Sequence, residues 1–166
     1  MSRFLCIVGL LIVSSSAPAQ WIGGVSLFSF SDSDDGVDIQ LTGVLVAAGY
    51  IFEVENGFYV IPEVRLGSGV TGDTVFGVDV ELDSFFSLGV RGQLDIGEAF
   101  YVFGTPSYAR AEATASFGTQ SASDDNWETG FGAGAGYKVS ETVWTELSYE
   151  TYDGTDFISI GVRSRF

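Results

Sequence analysis

The chain of 166 residues has no histidine, and its single cysteine, Cys6, and single methionine, Met1, both fall within the first nineteen residues. Ser-His and Asp-His mechanisms need a base that titrates near neutral pH, so the lack of imidazole excludes them. Metal sites built on His and Cys, and disulfide staples, are excluded from residues 20–166 for the same reason of composition. Basic residues are also scarce, with 7 Lys and Arg against 22 Asp and Glu and a net charge of −15. Nucleic acid is not an expected partner, because phosphate binding needs basic patches, whereas cations and basic surfaces fit this balance. One long hydrophobic run exists, FLCIVGLLIV near the start, and it is too short to cross a bilayer as a helix.

That run is preceded by Arg3 and followed by SSS and Ala17-Pro18-Ala19. A basic start, a short apolar core and an A-x-A site describe a secretory signal peptide, with cleavage expected after Ala19. Cys6 sits too early, and without the Leu and small residues of a lipoprotein site, so no lipid anchor is expected. Residues 20–166 then form one domain by length, with 6 basic and 22 acidic residues once Arg3 is gone. No cofactor is expected.

What the chain does contain is aromatic residues at 14%, 22 glycines and only three prolines, a composition suited to many strands and tight turns. The clearest stretch is Trp127 to Lys138, WETGFGAGAGYK. Trp127, Thr129, Phe131, Ala133, Ala135 and Tyr137 share one parity, and Glu128, Gly130, Gly132, Gly134, Gly136 and Lys138 share the other. Side chains of a strand alternate between faces, so this is a strand with an apolar face and a small-or-charged face. Gly130, Gly132 and Ala135 also satisfy a loose dinucleotide-binding fingerprint, but that motif needs a helix after it. The following VSETVWTELSYETYDG alternates every second residue, and the glycines are better read as room on a crowded inner surface.

The same alternation recurs along the chain. FYVIPEVRLG puts Phe58, Val60, Pro62, Val64 and Leu66 opposite Glu63 and Arg65. A long segment sets Val78, Val80, Leu82, Phe86, Leu88 and Val90 against Asp79, Glu81, Asp83, Ser87, Gly89 and Arg91. The last two segments set Val143, Thr145, Leu147 and Tyr149 opposite Trp144, Glu146, Ser148 and Glu150, then Ile158, Ile160, Val162 and Phe166 opposite Ser159, Gly161, Arg163 and Arg165. Segments 20–30, 37–52 and 99–111 are apolar on both parities, or nearly so, and their faces stay open. Turn signals, among them Asn56-Gly57 and Asp153-Gly154, divide the chain into about eight strands. Some fourteen residues of alternation exceed the usual globular strand and cover the roughly 9 to 11 that a tilted membrane strand needs. Short connections at 53–57, 93–97 and 139–142 alternate with longer, acidic ones at 67–77 and 112–126, the asymmetry of an outer-membrane barrel, and the last of these reads as mobile. The expected fold is an all-β, eight-stranded antiparallel up-and-down transmembrane β-barrel.

An interior assignment demands that buried charges be paired. The expected lumen network is Glu63, Arg65, Asp79, Glu81, Asp83, Arg91, Glu128, Lys138, Glu146, Glu150, Arg163 and Arg165, with Arg65 near Asp79 and Glu81 and Glu146 opposite Arg163. The glycines of 130–136 would leave space for Trp144 or Glu146. With eight strands the bore is filled and no wide channel is expected. Paired carboxylates could in principle serve glycoside hydrolysis, but alternation with basic residues favours a structural ion network. Asp32, Asp34 and Asp35, with Asp124 and Asp125, are hard oxygen ligands that raise divalent cations such as calcium, although the spacing is not that of an EF-hand and a solvated loop tip is the plainer reading.

The segments GFGAGAGYKVSETVWTELSYETYDG, AAGYIFEVENGFYVIPEVR and ISIGVRSRF together resemble the small outer-membrane β-barrel family, which includes opacity-type proteins and the transmembrane domain of outer-membrane protein A. The resemblance covers essentially residues 20–166. It implies a monomer in the outer membrane of a Gram-negative envelope, with membrane lipid as its surroundings. It also implies a barrel-insertion signal, read by the assembly machinery, at Ile158, Ile160, Val162 and Phe166, with Ser164 departing from the usual apolar residue. The peptidoglycan-binding domain of some relatives is not expected. The function expected is a structural or surface-interaction role without catalysis. A soluble periplasmic or secreted ligand-binding barrel, a narrow porin and an adhesin are the alternatives. The intact mass of protein extracted from membranes should correspond to a chain beginning at Gln20, and a mass that retains Cys6 would overturn the cleavage assignment.

Overall fold

β-Branched and aromatic residues on alternating positions, punctuated by Gly turns, produce strands almost everywhere. The computed structural model describes residues 20–34, 37–75, 78–117 and 120–166; residues 1–19, where a signal peptide is expected, and Asp35 lie outside these. Among the described residues the strands are β1 (Trp21–Asp34), β2 (Val37–Tyr50), β3 (Phe52–Glu55), β4 (Phe58–Thr71), β5 (Asp73–Val75), β6 (Val78–Ile96), β7 (Phe100–Phe117), β8 (Gln120–Lys138), β9 (Val143–Tyr152) and β10 (Thr155–Arg165).

Neighbours in sequence pair antiparallel, and β1 pairs with β10 from Ile22↔Arg165 to Ser31↔Asp156, so the sheet closes on itself. Mutual backbone bonds between Trp21 and Phe166 seal the seam at its end. The eight staves are β1, β2, β4, β6, β7, β8, β9 and β10. β3 prolongs β2 past Ile51 and pairs with the start of β4, while β5 is a short rung on β6. All-β closure leaves no free edge in the membrane, where an unpaired backbone group has no water to bond.

The turns at one end are tight, with Gly57 and Gly97 at positive φ. At the other end Asp153 and Gly154 both take positive φ, the requirement of the two-residue hairpin that joins β9 to β10. Several connections expected as loops are strand instead. β4 runs on to Thr71, and β7 and β8 remain paired from Glu112↔Asp125 to Phe117↔Gln120, so the segment read as mobile is a long hairpin. Gln93, expected in a turn, is a fully buried lumen residue of β6.

The largest difference is a bulge in β6. Its register to β7 slips between Leu82↔Ala113 and Ser84↔Glu112. One extra residue reverses the faces of a strand. Leu82 and Phe85 are both buried, whereas Leu88 and Val90 are exposed on the outer wall. Val78, Val80 and Leu82 therefore do not share a face with Phe86, Leu88 and Val90.

The inner row of β8 is glycine because the bore leaves no room for more. A Cβ on Gly132 would lie 2.2 Å from Glu150 Cγ, one on Gly134 2.3 Å from the Phe103 ring, one on Gly136 2.1 Å from the Tyr101 ring and one on Gly130 2.4 Å from the Tyr152 ring. These four side chains, and not Trp144 or Glu146, occupy the space. Gly132→Leu should cost about 1–3 kcal/mol by overpacking, whereas Ala133→Leu, on the outer face one residue away, should be nearly neutral. Comparing boiled and unboiled samples on a gel across a urea series reads the loss; equal unfolding midpoints for the two variants would refute a filled lumen at Gly132.

Candidate functional site

The outer wall is apolar and the inner wall carries the charge. Leu27, Ile160, Phe131 and Leu147 are each 57–62% exposed on the outside, with Val44, Val46, Val64, Leu66, Ile158 and Val162 among their neighbours. A soluble ligand-binding barrel has the opposite arrangement. Aromatic residues bound this band at both ends. Trp21 packs edge-on to Tyr50 at 5.1 Å and Phe100 to Tyr137 at 5.1 Å near the tight turns. At the other end Tyr108 stacks on Trp127 at 4.8 Å, with Phe86 against the same indole at 5.8 Å. Trp127 and Tyr137 are ten residues apart on β8, and at ~3.3 Å per residue and a tilt of about 40° that spans roughly 25 Å, the height of a membrane band.

Inside, the lumen is layered. The middle layer is ionic. Arg65 of β4 grips Glu150 of β9 with two bonds of 2.5 and 2.9 Å, and its Nη2 also donates to Ser87 Oγ at 2.9 Å and Tyr152 OH at 3.0 Å. Arg91 of β6 grips Glu146 of β9 at 2.6 and 2.9 Å, with its guanidinium 3.8 Å above the Phe103 ring. Arg163 of β10 donates from Nε to Glu146 at 2.7 Å and from Nη1 to Glu63 at 2.8 Å. Glu63 stands between the three cations, 3.7 Å from the Nε atoms of both Arg65 and Arg91. Tyr101 OH donates to Glu146 at 2.8 Å and Tyr152 OH to Glu150 at 2.7 Å. Paired forks of this kind are the strong form of a charge-assisted bond. Arg65, Arg91, Arg163, Glu63 and Glu150 are all under 7% exposed, so each charge depends on its partners and not on water.

Apolar side chains lie on both sides of this layer. Towards the long hairpins Phe28, Phe30, Phe85 and Phe157 form one cluster with Leu41, Leu45 and Tyr152. Phe28 and Phe157 stack at 5.1 Å and Phe85 and Phe157 at 5.6 Å. Towards the tight turns Ile22, Ile51, Ile61, Tyr101, Phe103 and Trp144 form another.

The ions placed together are thus Glu63, Arg65, Arg91, Glu146, Glu150 and Arg163. Lys138 belongs to the tight-turn mouth, where it bonds Asp95 at 2.5 Å. Arg165 is on the inner face near the same mouth, beside Tyr59. Glu128 is on the inner face at the opposite mouth. Asp79, Glu81 and Asp83 do not join the network. They are exposed on the outer side of β6 beyond the bulge, where Asp79 accepts from Thr74 at 2.7 Å and Asp83 from Thr114 at 2.6 Å. Arg65 consequently pairs across the bore with Glu150 instead of with a neighbouring strand. In so narrow a barrel the opposite wall is within reach of a guanidinium.

Tyr101, Tyr152, Ser87 and Gln93 were missed, although each is buried and three bond the ions. The alternation in AFYVFGTPSYARA, with Tyr101, Phe103, Thr105 and Ser107 inward, was masked by apolar residues on the other parity. Ile158, Ile160 and Val162 face outward, half exposed or more, with Phe166 at the seam. Asp35, weighed as a cation ligand, is outside the described residues, as are the side chains of Asp32, Asp34, Asp124 and Asp125; among the described residues no three acidic side chains converge as a metal site.

Replacing Arg163 by Leu strands Glu63 and Glu146 with less counter-charge, a change of about 3–5 kcal/mol for a broken buried pair. The urea midpoint should fall by about 1 M or more. An unchanged midpoint would mean that the ion layer does not hold the barrel together.

Several solved outer-membrane proteins share this fold. The attachment invasion locus protein Ail of Yersinia pestis is 18% identical with a TM-score of 0.67, covering 90% of this chain and 100% of that one. The Neisserial surface protein A is 14% identical with a TM-score of 0.62, covering 88% and 97%. The N-terminal β-barrel domain of OprF of Pseudomonas aeruginosa is 15% identical with a TM-score of 0.55, covering 86% and 97%. No curated protein sequence matches the chain. At these identities the likeness is one of fold, and the family comes from the sequence itself, which matches the outer membrane protein beta-barrel domain over residues 5–166. With its apolar outer band, aromatic girdles and buried lumen charges, the chain belongs to the outer membrane protein beta-barrel family.

Proposed function

We propose that this outer-membrane barrel is a sealed, non-catalytic wall element whose contacts are made by its acidic extracellular end. The observation that carries the reading is the ion layer. Its six charged side chains come from β4, β6, β9 and β10 and meet across the bore, with aromatic clusters above and below. An ion crossing the lumen would have to displace paired charges and then pass between packed rings. This supports a closed barrel over a porin.

The chemistry of the same residues supports an absence of catalysis. Glu63, Glu146 and Glu150 are each committed to arginines, so none of these three buried carboxylates is free to serve a substrate as acid or base. The six ions balance, three of each sign. The chain's acidic excess therefore belongs to its two mouths, chiefly to the hairpins at the extracellular end, since short turns face the periplasm in such barrels. Ail has been solved with sucrose octasulfate, a heparin analogue; an acidic end would repel such a polyanion, so an adhesive role here favours basic partners or divalent cations. The first nineteen residues serve as the export signal, and Ile158, Ile160, Val162 and Phe166 present the insertion signal to the assembly machinery.

Purified barrel reconstituted into a planar bilayer should show no steady ion conductance under an applied voltage. Stable conductance steps from the wild-type chain would overturn the sealed reading and restore the narrow porin.

A further inference from the structure

Above the ion layer the lumen opens into a cup that is not polar. Phe30, Leu41, Phe85 and Ala109 are buried in its wall, and Val80, Leu82 and Ala111 complete it, around a cavity of about 310 Å³. Ala113, Asn126, Glu128 and Thr155 line it as well, towards the extracellular side. Its base is the ring cluster of Phe30, Phe85 and Phe157, with Phe30 to Phe157 at 4.9 Å. The bulge at Asp83 makes this lining. Without it Val80 and Leu82 would face outward and Glu81 and Asp83 inward.

An apolar hollow at a water-facing mouth gains free energy when an apolar group fills it. The cavity is about twice the ~150 Å³ at which a hollow lined by Leu, Ile and Phe takes up benzene, and it falls at the lower end of small-molecule pockets. The surrounding charge selects among apolar ligands. Glu128 lines the cup. Asp73, Asp79, Glu81, Asp83, Glu112 and Asp156 stand around its rim, most of them on the outer side of the wall and with Arg110 as the basic residue among them, so the summed field at this end concentrates cations. We infer that the extracellular cup binds single-chain alkyl cations, with the chain in the cup and the cationic head at the acidic rim. The site lies above the ion layer, so it stands or falls independently of whether the lumen conducts.

The test is methyl NMR of the barrel in phospholipid nanodiscs, titrated with octyltrimethylammonium and, separately, with octyl sulfate. The methyls of Leu41, Val80, Leu82 and Ala109 should shift saturably with the cation. Those of Val44, Leu88 and Val90 on the outer wall should drift linearly as the probe enters the bilayer. Octyl sulfate should bind at least about threefold more weakly, and added salt should narrow the difference. Ala111→Phe and Ala113→Phe fill the cup from two heights, and whichever of them folds by the boiled-and-unboiled gel should lose the saturable response. The inference is overturned if the cup methyls do not saturate, if a folded filled variant responds like the wild type, or if octyl sulfate binds as tightly as the cation.

Discussion

In an eight-stranded barrel the inward side chains of neighbouring and opposite staves share one narrow bore, and the rest of this structure follows from that shared volume. The match is one of size along β8, where Gly130, Gly132, Gly134 and Gly136 lie under Tyr152, Glu150, Phe103 and Tyr101. It is repeated at Gly43, whose Cβ would strike the Phe28 ring at 2.3 Å. The match is one of charge at mid-height, where three arginines and three glutamates from four strands balance one another in sign. Burial makes both requirements strict, because packed interiors tolerate neither overlap nor an unpaired ion.

The two faces of the wall answer to different solvents. Outside, Leu, Ile, Val and Phe meet lipid between girdles of Trp and Tyr. Inside, the ions sit where a lipid-facing charge would be costly. Beyond the girdle the strands continue into water, and the acidic residues that would disturb either the band or the lumen are gathered there. Tyr149 OH donating to Asp156 at 2.5 Å marks this boundary on β9 and β10. The bulge in β6 belongs to the same division, since it turns Asp79, Glu81 and Asp83 outward at a level already clear of the membrane.

The fold was legible wherever lipid and lumen imposed opposite chemistry on alternate residues. In β8, β9, β10 and the lower part of β4 the parity of apolar and polar residues assigns the faces, and Glu146, Glu150, Arg163, Glu63 and Arg65 lie inward on it. It was not legible in β1, β2 and β7. Phe28, Phe30, Leu41, Leu45, Tyr101 and Phe103 point into the lumen while Val25, Leu27, Val44 and Val102 point to lipid, so both parities are apolar and alternation carries no information. The long hairpins were read as loops for a related reason. Past the membrane the outer face is polar too, and a strand with Ser, Thr, Ala and Asp on both sides has the composition of a turn.

Local order and partner choice separate cleanly here. Alternation, turn glycines and length are properties of consecutive residues, and by themselves they determined an exported, lipid-facing barrel of eight staves with charge inside. Whether β6 keeps one register throughout depends on a single extra residue opposite β7, which no period in β6 announces. Which glutamate Arg65 meets depends on the width of the closed ring, since Glu150 is 85 residues away in sequence and on the far wall. Contacts made across a lumen exist only after closure, so the tertiary structure alone decided the pairing of the ions across the bore, the layering of rings above and below them, and the apolar cup at the mouth, whereas the bond of Arg163 to Glu146 on the neighbouring strand could be read from the hairpin.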